Sequence, residues 1–105
     1  FERRQQELKS TLGVLNEQMR QKQLEVEELH AKRKAVARNF LLAKERLAMS
    51  TSLLASGLTP RMEHLQLEAE VENLEGEKRT IESSIPRARA AVAEVAQVDL
   101  DAASR

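Results

Sequence analysis

Ser56-Gly57-Leu58-Thr59-Pro60 is the one place in this chain where strong helix breakers cluster. Gly57 suits the left-handed residue just past a helix end, because it has no Cβ to clash. Thr59 suits the N-cap of a following helix, and Pro60 its first turn. One helix is therefore expected to stop near Ala55 and another to start near Pro60. A connection this short makes the two run antiparallel.

The residues before the break carry a sustained heptad. One series is Phe1, Leu8, Leu15, Lys22, Leu29, Val36, Ala43 and Ser50. The other is Gln5, Leu12, Met19, Val26, Arg33, Phe40, Leu47 and Leu54. Twelve of these sixteen positions are apolar and the spacing never slips, which is a coiled-coil pattern. After the break, Leu67, Val71, Leu74, Lys78, Ile81, Ile85, Ala88, Val92, Val95, Asp99 and Ala102 continue it, nine of the eleven apolar. The sequence thus predicts an all-α fold, a long antiparallel two-helix coiled-coil hairpin. Its parts are a first helix over 1–56, a tip turn over 57–59 and a second helix over 60–105. At 1.5 Å per residue the helices would be about 80 and about 65 Å long.

Composition agrees with a rod and excludes several other classes. The chain has 105 residues, 32% charged and 2% aromatic, with no Trp, Tyr or Cys. Too few aromatics are present for an ordinary globular core. Disulfides and thiolate metal sites are excluded. A formal net charge of zero argues against a nucleic-acid or membrane-surface protein, which carries a basic excess. The longest uncharged stretch, Leu47 to Pro60, is too short and too polar to span a bilayer. No signal peptide is visible and the chain begins at Phe1, so it reads as a segment of a longer protein.

Charge separates between the helices. Residues 1–56 carry net +4 and residues 57–105 net −4. Folding about Leu58 pairs Arg46 with Glu70 and Lys44 with Glu72, and sets Gly76 opposite Phe40. Gly76 is then expected to make room for the ring. The run Lys32-Arg33-Lys34 with Arg38 is expected to complement the acidic helix, with an anion site as the sharper alternative. Pro86, inside the second helical pattern, should bend it, with Ser83 and Ser84 satisfying freed backbone groups. Residues 99–105 are expected to fray.

Catalytic constellations are missing: no nucleophile motif and no Gly-rich phosphate loop. His64 and Glu68 share a helical face, but two ligands without a third make no metal site, and both are expected to be exposed. His30, between Glu27 and Lys34, is expected at the surface. Neither an enzyme nor a cofactor is predicted. An apolar Leu58 at a hairpin apex has no core to enter, which points to a partner there.

The stretch from Leu53 through Gly57, Leu58, Thr59, Pro60 and Arg61 to Glu68 resembles the hairpin tip of HlyD-type membrane fusion proteins, the periplasmic adaptors of type I secretion systems. Glu70 to Glu77 and Ile81 to Ala88 resemble the returning helix. The resemblance implies a periplasmic hairpin of a parent anchored in the inner membrane beside an ABC transporter. Its tip meets a TolC-like outer-membrane channel, and usually six copies pack side by side. It also implies partner-binding residues Leu53, Gly57, Leu58, Thr59 and Arg61. The family's tip often carries Arg, Leu and Ser at fixed spacing. Leu53 holds the Leu position here, while Met49 and Pro60 replace the other two; Thr59 and Arg61 are the nearest substitutes. Two other readings stay open on the residues: the adaptor hairpin of a multidrug efflux pump, and a non-transport coiled-coil arm that binds nucleic acid or serves a structural role.

Overall fold

A computed structural model describes residues 1–104. Two helices, α1 (Glu2–Ala55) and α2 (Arg61–Ala103), account for nearly all of it, and the described residues contain no strand. The fold is all-α, an antiparallel two-helix hairpin. The described chain divides into two compact units, one of residues 1–30 with 84–104 and one of residues 31–83.

In the 31–83 unit the polypeptide reverses. The Leu58 N–H donates to the Leu53 carbonyl at 2.8 Å and the Gly57 N–H to the Leu54 carbonyl at 3.0 Å. Gly57 takes φ 73°. This pair of bonds around a left-handed glycine is a Schellman cap, and it satisfies two of the carbonyls that the end of α1 leaves open. At the Ser- and Thr-rich end of α1 the hydroxyls bond backward to carbonyls four residues earlier. Thr51 reaches the Leu47 carbonyl at 2.9 Å, Ser52 the Ala48 carbonyl at 3.4 Å, and Ser56 the Ser52 carbonyl at 3.3 Å. On the other side of the turn the His64 N–H bonds the Pro60 carbonyl at 3.3 Å. Pro60 therefore stands at the N-cap position where Thr59 was expected, and the Thr59 hydroxyl caps nothing.

The antiparallel sense shows in the cross-helix contacts of this unit. Phe40, Arg46 and Ser50 meet Lys78, Glu70 and His64 in turn, so residue number falls along α2 as it rises along α1. Val36, Ala43 and Ile81 are buried here. Leu47, Leu67, Val71 and Leu74 are half-buried, as two helices alone allow. Two expectations fail in this unit. A Cβ built on Gly76 would meet nothing within 4 Å, so the glycine makes no room for Phe40. The ring instead lies under two ammonium groups, Lys44 Nζ at 5.1 Å and Lys78 Nζ at 5.4 Å from its centroid. Lys44 is thereby engaged with Phe40 and forms no ion pair with Glu72. Pairing by residue number ignores which side of its helix a residue occupies.

In the unit of residues 1–30 and 84–104, Ile85 is buried, while Leu12, Leu15, Met19, Val26, Leu29, Ala88, Val92 and Val95 are half-buried. His30 is half-buried as well, its Nε2 3.2 Å from an Arg89 guanidinium nitrogen, rather than a bare surface residue. Asp99 and Ala102 remain half-buried. α2 runs through Pro86 as one continuous helix. Ser83 Oγ donates to the Thr80 carbonyl at 2.9 Å, not to the Glu82 carbonyl that the proline leaves unbonded. Helix also persists where fraying was expected. Gln97 donates to Asp101 at 3.1 Å and Ser104 Oγ to the Leu100 carbonyl at 2.8 Å. The expectation for residue 105 lies outside the described residues. No helix among the described residues is long and apolar enough to cross a membrane.

Candidate partner-docking tip

The Schellman turn presents its side chains outward. Leu58 is 73% exposed, and the other four expected docking residues lie around it: Leu53, Gly57 and Arg61 exposed, Thr59 half-buried. Sequence reasoning missed Met62 and Leu65 and took Met49 only as a departure from the family's tip pattern; all three are exposed large apolar side chains beside these. Met49 lies one helical turn before Leu53, and Met62 and Leu65 lie three apart on α2, so each pair shares a face. That spacing was visible in the sequence and off the heptad seam. Met49, Leu53, Thr59 and Glu63 line one shallow groove beside the turn. Methionine is flexible and polarisable, and adapts to irregular apolar surfaces.

Directly behind the tip the seam turns polar. Ser50 occupies a heptad position and is 4% exposed. Its Oγ lies 3.0 Å from His64 Nδ1, and His64 Nε2 lies 2.8 Å from Glu68 Oε1. The His64 side chain is only 12% exposed, which corrects the expectation of a surface pair. A carboxylate only accepts, so Nε2 carries a hydrogen toward Glu68. In the neutral ring Nδ1 then accepts from the Ser50 hydroxyl. Ser50 also borders the shallow groove beside the turn, next to Met49 and Leu53. His64 and Glu68 also gain no third ligand, since no metal-holding cluster occurs among the described residues.

Charge around the tip is segregated. Residues 31–56 carry net +5 and residues 57–83 net −4. Yet Arg46–Glu70, at 2.6 Å, is the one ion pair that crosses between the helices among the described residues. Lys32, Arg33, Lys34 and Arg38 are all exposed and form a solvated face, and among the described residues they join no ion pair with the acidic helix. Its charge faces water and whatever approaches.

Comparison with curated proteins and with solved structures returns no significant match. A family model described as "AprE, long alpha-helical hairpin" matches residues 1–102. With nearly its whole length inside that model, the chain belongs to the AprE long alpha-helical hairpin family, a component of secretion adaptors.

Proposed function

We propose that this chain is the periplasmic hairpin of a type I secretion adaptor of the HlyD type. Its tip docks on a TolC-like outer-membrane channel. Parts of the parent protein outside this hairpin anchor it in the inner membrane and join an ABC transporter. The observation that carries the reading is the apolar cluster at the turn. Leu53, Leu58, Met62 and Met49 stay exposed although burial of each would contribute roughly 1.5–3 kcal/mol. Such a patch at the end of a two-helix hairpin suits helix-against-helix docking. Gly57 shapes the turn, and Thr59 and Arg61 supply polar contacts at its rim.

Side-by-side packing of copies, six in the resemblance, is supported by the charge segregation. Basic α1 of one copy complements acidic α2 of the next, and the run from Lys32 to Arg38 is left unpaired for that use. The same segregation makes a nucleic-acid-binding role unattractive, because an acidic helix would lie beside any phosphate backbone.

A photocrosslinking residue at Leu58, in cells carrying the parent protein, tests the proposal. The expected adduct contains an outer-membrane channel, and it disappears when the probe is moved to Leu24. Adducts only with other copies of the chain, or only with soluble proteins, would refute it.

A further inference from the structure

The layer behind the tip holds the one buried polar residue among the described positions, Ser50, and its partner comes from the other helix. The neighbouring positions are leucines: Leu47 and Leu54 on α1 and Leu67 on α2. Leucine layers tolerate sliding, since one leucine replaces another with little loss. The Ser50–His64 pair does not. A slip of one turn, about 5.4 Å, would set Ser50 against Leu67 or the turn, and His64 against Leu47 or Leu54. Each slip would break the Ser50–His64 hydrogen bond and set a polar side chain against leucine, which costs free energy. In the native register no buried side-chain polar atom among the described residues lacks a partner.

We propose that Ser50 and His64 are positioning residues for the tip. Their hydrogen bond, with Glu68 orienting the ring, locks the axial register of the last seam layer. That lock sets the relative height of the α1 face bearing Met49 and Leu53 and the α2 face bearing Met62 and Leu65. A polar pair inside an apolar seam fixes register at a cost in stability, and it sits where the surface it aligns begins. The inference rests on the docking role proposed above.

The test is a Ser50→Ala/His64→Leu double variant, read by two independent measurements. The first is the distance distribution between spin labels at Ser52 and Gln66, both exposed and outside the docking set. The second is the channel crosslink from Leu58. The native chain should give one narrow distance. The double variant should melt at the native temperature or above it, because replacing both partners by apolar groups is neutral to stabilising. Its distance distribution should broaden or split, and its crosslink yield should fall. His64→Gln, which keeps one acceptor and one donor, should restore the narrow distance and the crosslink. A narrow native distance in the double variant would overturn the proposal, as would loss of its helical signal. A broadened distance with undiminished crosslinking would remove the positioning role. Absence of the crosslink in the native chain would defeat the docking reading instead, with the distance measurement still deciding the register.

Discussion

Arg46 and Glu70 join the two helices through a 2.6 Å contact between guanidinium and carboxylate, midway between Phe40 and the Ser50 layer. Both side chains remain about half exposed, so screening limits what the pair contributes. A double-mutant cycle of Arg46→Ala and Glu70→Ala should give a coupling of about 0.2–1 kcal/mol. The coupling should shrink as salt is added. A salt-independent coupling would mean that the pair is held by packing rather than charge.

Gly76 is a helix-interior glycine with open space where its Cβ would stand. Gly76→Ala should therefore stabilise the hairpin by about 1 kcal/mol, the difference in helix propensity. Urea unfolding followed by helical circular dichroism measures it. A destabilised alanine variant would show that the site is packed against something in solution, an adjoining copy first of all.

Ile85 is 4% exposed and Leu58 is 73% exposed. Ile85→Ala should cost about 2 kcal/mol or more through lost burial and the cavity left behind. Leu58→Ala should leave the melting temperature unchanged while reducing capture of the channel. If Leu58→Ala destabilised the isolated chain as strongly as Ile85→Ala, the leucine would belong to the fold and not to a partner.

Gly57 sits at φ 73° in the Schellman turn. A Cβ there clashes with the following carbonyl, so Gly57→Ala should cost about 1–2 kcal/mol. Gly57→Asn should cost less, because asparagine tolerates this region. Equal effects of the two variants, read by thermal melting, would count against the left-handed turn.

The Arg20 guanidinium, 3.0 Å from Glu17 on α1, holds the Glu17 carboxyl below its ordinary value of 4.5, first by hydrogen bonding and then by its charge. A carboxyl depressed in the folded state adds stability that is complete above its unfolded value and vanishes as pH falls through the folded one. Carboxyl-carbon NMR during acidification should find Glu17 titrating late, and Arg20→Gln should return it to the ordinary range. An unmoved midpoint in that variant would show that the pair does not persist in solution.

Heptad spacing and a single breaker cluster were enough to state the helices, the turn at Gly57 and the antiparallel pairing from sequence alone. These are local consequences of backbone geometry: apolar periodicity marks a seam, and only glycine turns left-handed without strain. The exposure of Leu58 followed from the same logic. The contacts made between residues distant along the chain needed the tertiary structure. It seated His64 against Ser50, laid Lys44 and Lys78 over Phe40, left Gly76 open, and gathered Met49, Met62 and Leu65 beside the tip. A residue's number gives its height on a helix. Its direction around the axis, and what stands there, depend on how the second helix lies against the first.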